Sequence, residues 1–236
     1  MVLAVRRAGR FISGLALGSG PLLRPDAKAR FTLPDGRVLS AEDEVITYVA
    51  RNLEPYRGYP SFIRALPELL AARPNAHVVI VGGDEVSYGR KPPEAPNWRE
   101  HMAREITLDP ARVHFTGKLP YAQYLALLQV SALHIYLTVP FVLSWSCLEA
   151  MSAGCLVLAS STAPVLEAIE DGVNGLLCDF HSPQDIAAKA AQALAARADL
   201  TLLRKAARQT VLDRYDLSHC LPAQMQLVEE VAAMRS

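Results

Sequence analysis

Tyr136 to Ser160 reads YLTVPFVLSWSCLEAMSAGCLVLAS, and its spacing predicts strand, loop, helix, strand. The β-rich run Leu133 to Leu137 ends at the Thr138–Val139–Pro140 break. Ser144 and Ser146 stand where a helix starts, and Glu149 falls within its first two turns. Gly154 closes that helix, and Cys155 to Ala159 resumes as a buried apolar strand. In a parallel sheet such a loop lies at the carboxyl edge, where backbone N–H groups and a helix N-terminus hold an anion. Glu149 is the one acid of the stretch. A carboxylate here accepts two hydrogen bonds from adjacent hydroxyls, such as those of a ribose. The competing reading makes Glu149 an acid placed to interact with the helix dipole.

On either side of this stretch, strands alternate with helices. Val45 to Ala50 is predicted as a strand, followed by the loop RNLEPYRG and a helix from Tyr59 to Ala72 with Phe62, Ile63, Leu66, Leu69 and Leu70 on one face. His77 to Val81 is the next strand, closed by Gly82–Gly83–Asp84. A loop rich in Pro and charge follows, then a helix over Asn97 to Ile106, a strand over Val113 to Thr116 and a helix over Tyr121 to Gln129. Beyond Ser160 come a short helix around Pro164 to Ile169, the turn Asp171 to Gly175, a strand over Leu176 to Asp179, and helices to the end. The alternation predicts right-handed βαβ units: an α/β fold with a doubly wound, Rossmann-like parallel sheet covered on both faces.

Composition restricts the partners. At 236 residues, 51% hydrophobic and 20% charged, with 24 basic against 24 acidic side chains, the chain has no bulk charge for nucleic acid or an acidic membrane. Any anion must be held by local geometry. Cys147, Cys155, Cys178 and Cys220 form no C-x-x-C pair, which points to reduced, buried thiols in a cytoplasmic protein. The six histidines lack metal-ligand spacing, so no metal site and no cofactor are expected. Near the amino terminus, Arg6, Arg7 and Arg10 with no acid before Asp26 faintly suggest a signal or transit peptide, although Ser13 and Gly14 break the apolar part. No run approaches the roughly 20 apolar residues that span a bilayer. Arg24 to Ser40, with its Pro-Asp-Gly turn, reads as a linker feeding a hairpin or loop, and the compact domain is expected to start near Glu44.

Further candidates converge on the same sheet edge. Arg51 follows the first long strand and Arg57 lies six residues on, so both guanidinium groups can face a diphosphate and neutralise charge on a departing nucleotide. A pair of solvated loop arginines is the alternative. Gly82 and Gly83 permit close backbone approach or form an ordinary turn; G-G-D is not the G-x-G-x-x-G fingerprint of a nicotinamide dinucleotide site. Lys118 can reach a base or phosphate, or be a surface lysine.

The ordered series VITYVARNLEPYRG, HVVIVGGDE, RVHFTGKLPYAQY, YLTVPFVLSWSCLEAMSAG and APVLEAIEDGVNGLL resembles the carboxyl-terminal, donor-binding domain of the retaining GT-B glycosyltransferases often called family 4 or group 1. The resemblance covers about Val45 to Ser236. It implies retaining, metal-independent sugar transfer from a nucleotide-diphosphate-sugar to an acceptor that the sequence does not name. It also implies three segments: 1–44 as an irregular lead and linker, 45–216 as a Rossmann-like nucleotide-sugar domain, and 217–236 as a carboxyl-terminal helix. By the match, Arg51 and Arg57 are the catalytic pair on the donor diphosphate, and Glu149 is the second acid of the E-x7-E motif, on the ribose. Phe141, Val142, Leu143 and Ser144 offer backbone N–H groups, and Gly82, Gly83, Lys118 and Leu119 complete the donor site. The leaving phosphate takes the acceptor's proton in that family, so no general base is required.

Two departures qualify the expectation. Phe141 stands where the first acid of the motif contacts the transferred sugar, and no Asp or Glu occurs from Ile135 to Leu148, which leaves Ser144 or Ser146 for that contact. Only about 44 residues precede the donor domain, so the chain is expected to be a piece of a longer enzyme or to be completed by another chain. Leu217 to Met234 would then expose an apolar face and favour association. The alternative function is a non-catalytic nucleotide-binding or interaction domain.

Overall fold

In a computed structural model of the chain, residues 25–234 are described, and the arginine-rich amino-terminal reading falls outside them. A hairpin of β1 (Arg30–Thr32) and β2 (Val38–Ser40) leads into six strands: β3 (Val45–Asn52), β4 (His77–Gly83), β5 (Val113–Gly117), β6 (Leu133–Tyr136), β7 (Val157–Ser160) and β8 (Leu176–Cys178). Between and after them run α1 (Tyr59–Ala72), α2 (Trp98–Glu105), α3 (Tyr121–Val130), α4 (Trp145–Ala153), α5 (Ala163–Leu166), α6 (Pro183–Ala195), α7 (Thr201–Tyr215) and α8 (Leu217–Ala233). The six strands are parallel and ordered β5-β4-β3-β6-β7-β8. The strand order therefore reverses between β3 and β6, which opens a crevice outside their carboxyl ends.

The period of two along each strand sends successive apolar residues to opposite faces. Ile46 and Tyr48, Val78 and Ile80, Leu133 and Ile135, and Leu156 and Leu158 pack with Phe62, Ile63 and Leu66 of α1 and Ile186 and Ala190 of α6. Their neighbours turn the other way. Val157 and Ala159 meet Cys147, Met151 and Val211 of α4 and α7, while Val45, Val79 and Val81 meet Leu127 and Val130 of α3. Phe31, Leu33 and Leu39 of the hairpin belong to that last cluster. The chain thus joins the core before Glu44, because the Pro-Asp-Gly turn folds two short strands whose inward residues are apolar. All four cysteines are free and buried. Along α8, Leu221, Met225, Val228 and Val231 are exposed on spacings of three and four.

A small polar cluster lies inside this hydrocarbon. His134 is fully buried, with Nδ1 2.9 Å from Thr47 Oγ1, whose hydroxyl also meets Ser131 Oγ at 2.8 Å. Burial pulls the His134 pKa down to about 3 from the ordinary 6.5. The folded imidazole therefore stays neutral where the unfolded one takes a proton. Its contribution is intact above about pH 6.5 and is lost as pH falls toward 3, at up to about 1.4 kcal/mol per pH unit. Thermal melts from pH 7.5 to 4.5 should show this loss, with a shallower fall for His134→Gln. Parallel pH curves for the two proteins would exclude His134 as the source.

Candidate functional site

The loop after β3 is built to hold Arg57 still. Pro55 to Arg57 forms a single 3₁₀ turn closed by Gly58, and the buried Tyr48 hydroxyl donates to the Arg57 carbonyl at 2.6 Å. The guanidinium, in a residue only 9% exposed, donates to Thr138 Oγ1 at 3.0 Å and, more distantly, to the Tyr136 hydroxyl and the Val142 carbonyl, both at 3.5 Å. Its partners are hydroxyls and a carbonyl. Among the described residues it makes no ion pair with a carboxylate. Arg51, exposed at the end of β3, lines the same cleft.

At the same cleft, α4 starts as its sequence requires. Ser144 is the N-cap, its hydroxyl 3.4 Å from the Ser146 N–H, and Gly154 closes the helix at φ 80°, accepting a conformation that costs any other residue a Cβ clash. Glu149 sits one turn in, and α3 lays two hydroxyls against it. Tyr124 donates to Oε2 at 2.8 Å and Tyr121 to Oε1 at 3.3 Å. Burial raises the Glu149 pKa above its ordinary value, and the two tyrosine hydroxyls pull it back.

These groups meet in one open cleft of about 770 Å³ at the carboxyl edge of β3, β4 and β6, where the strand order reverses. Arg51, Arg57, Gly82, Lys118, Leu119, Val142, Leu143, Ser144 and Glu149 all line it. Gly83 and Phe141 do not. A Cβ on Gly83 would lie 2.5 Å from Asn52 Oδ1 and 2.7 Å from Lys118 Cε, so that glycine makes room for protein atoms. Phe141 turns outward onto the Tyr88 ring, centroids 5.3 Å apart. Lys118 pairs with Glu85 at 2.8 Å. Of the four N–H groups expected for an anion, Phe141 donates to Val139 O and Ser144 to the Tyr136 hydroxyl. Val142 and Leu143 have no such acceptor among the described residues.

Several members of the site carried no motif. Tyr136 takes the Ser144 N–H and the Arg57 guanidinium, and burial pushes its hydroxyl up to about 12, so it stays a neutral donor and acceptor. Tyr121 and Tyr124 lie three apart on α3, a spacing that puts both on one helix face, but nothing in the sequence shows that this face meets Glu149. No group of three or more His, Cys, Asp or Glu that could hold a metal ion occurs among the described residues, and no helix there is long and apolar enough to cross a membrane.

A doubly wound parallel sheet with two guanidinium groups, a lysine and one carboxylate lining a cleft at its switch point defines an α/β domain of the Rossmann-like class. The chain belongs to the family described as glycosyl transferases group 1, which matches residues 33–210. It is similar to the D-inositol 3-phosphate glycosyltransferase of Corynebacterium glutamicum (strain R), 28% identical over 142 residues that make up 59% of this chain and 32% of that protein. Thus the chain spans about a third of the length of this curated relative. In fold it resembles Anabaena HepE in complex with UDP-glucose (TM-score 0.66, 21% identity, 81% of this chain and 49% of that one). It likewise resembles the C-terminal domain of a Francisella tularensis glycosyl transferase group 1 family protein (LpcC), with a TM-score of 0.67 at 17% identity, covering 86% of this chain and all of that one. The architecture is that of one half of a GT-B glycosyltransferase.

Proposed function

We propose that residues 45–216 bind a nucleotide-diphosphate-sugar across the switch point, as the donor half of a glycosyltransferase that moves the sugar with retention of configuration. The observation that carries this reading is the Arg57 guanidinium, nearly buried and without a carboxylate partner among the described residues, facing the same cleft as Arg51 and Glu149. An uncompensated cation out of water favours an anionic ligand. Two guanidinium groups supply the positive charge that a metal would otherwise bring to a diphosphate, so chelation with EDTA should leave donor binding unchanged. The similarity of the fold to a structure solved with UDP-glucose supports a nucleotide-sugar as that anion. The acceptor belongs to surfaces outside this cleft, and association would use the exposed stripe of α8.

Glu149 is the test. If its carboxylate receives the ribose hydroxyls, Glu149→Ala should weaken binding of the preferred nucleotide among UDP, GDP and ADP by about tenfold or more in calorimetry. The variant should also lose any preference for that nucleotide over its 2′-deoxy form. A variant that binds both as the parent does would remove Glu149 from the site. One observation favours a second reading, a domain that binds without transfer: Phe141 occupies the motif position of the sugar-contacting acid. Donor hydrolysis and transfer assays on the purified chain separate the two, since binding without turnover supports the second.

A further inference from the structure

Glu54, in the middle of RNLEPYRG, has no part in the donor contacts described so far, yet it is 1% exposed and its carboxylate is committed to one segment. Oε2 accepts three successive backbone N–H groups, from Ser87 at 3.3 Å, Tyr88 at 3.1 Å and Gly89 at 3.1 Å. Asn52 adds a second anchor, Nδ2 to Ser87 Oγ at 2.7 Å. Gly89 sits so close that a Cβ would lie 3.2 Å from the Tyr56 ring and 3.5 Å from Glu54 Oε2. The segment held in this way belongs to the loop between β4 and α2, and what it presents is Tyr88. That ring lies 5.4 Å from the Arg57 guanidinium, meets Phe141 edge to face and lines the cleft.

We propose that Glu54 is a positioning residue that fixes Ser87 to Gly89 so that Tyr88, braced by Phe141, forms an aromatic wall against which the glycosyl part of the donor packs. This rests on the nucleotide-sugar reading of the cleft. Tyr88 belongs to the Arg57 end, whereas Glu149 is engaged by Tyr121 and Tyr124. The wall therefore stands on the sugar side of the diphosphate. Among the described residues, Glu149 is the only acid lining the cleft, so no carboxylate is available there to grip sugar hydroxyls. A π-face offers instead a surface for the C–H face of a pyranose.

The test is calorimetry of the 236-residue chain with UDP and UDP-glucose, GDP and GDP-mannose, and ADP and ADP-glucose, using the pair that binds. Tyr88→Ala should weaken the nucleotide-sugar by about three- to tenfold while the free nucleotide changes less than twofold, and Tyr88→Phe should bind as the parent does. Glu54→Ala should give the same selective loss. Glu54→Gln should restore binding, because its amide oxygen can replace Oε2. The Glu54→Ala/Tyr88→Ala double variant should be no weaker than the worse single one. Should Glu54→Ala not fold, Asn52→Ala tests the second anchor and should show a smaller loss of the same selectivity. Equal weakening of nucleotide and nucleotide-sugar by Tyr88→Ala, or additive losses in the double variant, overturns the wall and leaves the donor site standing. Absence of binding to all six probes overturns the donor reading and the wall with it.

Discussion

Arg57→Ala is expected to lower affinity for the bound nucleoside diphosphate by roughly ten- to a hundredfold, the range of a lost charge-assisted hydrogen bond. The side chain is nearly buried and held by Thr138, Tyr136 and the Val142 carbonyl, so little reorganisation is needed to receive a phosphate. Arg57→Lys should recover only part of the loss, because an ammonium lacks the planar fork that bonds hydroxyl and phosphate together. Stability should move little, or rise: no carboxylate among the described residues is stranded when the cation is removed. Calorimetry and thermal melts on the same preparation check both halves. Unchanged affinity in a folded Arg57→Ala protein would move the diphosphate elsewhere.

Gly58→Ala should be the most destabilising small substitution at the site. Gly58 has φ 71°, and a Cβ there would lie 2.5 Å from Leu137 Cβ, 2.8 Å from Leu137 Cδ1 and 3.1 Å from the Phe180 ring. The left-handed conformation costs about 1–2 kcal/mol, and forcing a methyl against a fixed Cβ adds about 1–3 kcal/mol. Relief requires the 3₁₀ turn to shift, and Arg57 is its last residue. Chemical denaturation should therefore show a loss of about 2–5 kcal/mol together with weakened nucleotide binding. Gly172→Ala is the control: φ is 73° but nothing lies within 4 Å, so only the conformational cost remains. Equal losses for the two variants would show that packing against Leu137 contributes nothing.

Much of this molecule was legible one residue at a time. The period-two strands, the helical stripe of α1, the Ser144 cap and the Gly154 stop are local, set by side-chain spacing and backbone preference, and they fall where the pattern puts them. Because parallel strands must alternate with covering helices, the doubly wound sheet follows from that pattern, and so does the edge on which Arg51, Arg57 and Glu149 gather. The start of the packed domain was not legible, because three hydrophobic residues in a short hairpin carry too weak a pattern to show that they reach the core.

What the sequence determined by itself was the set of strands, helices and edge residues, since these depend on neighbours three or four positions away. Only the tertiary structure decided which of those residues share the cleft. Tyr121 and Tyr124 reach Glu149 from 28 and 25 residues away, and Glu54 takes its N–H donors from 33 to 35 residues away. Gly83 and Phe141, adjacent in sequence to lining residues, are not among the lining residues. Contacts between loops depend on how whole layers pack, and no local spacing encodes that.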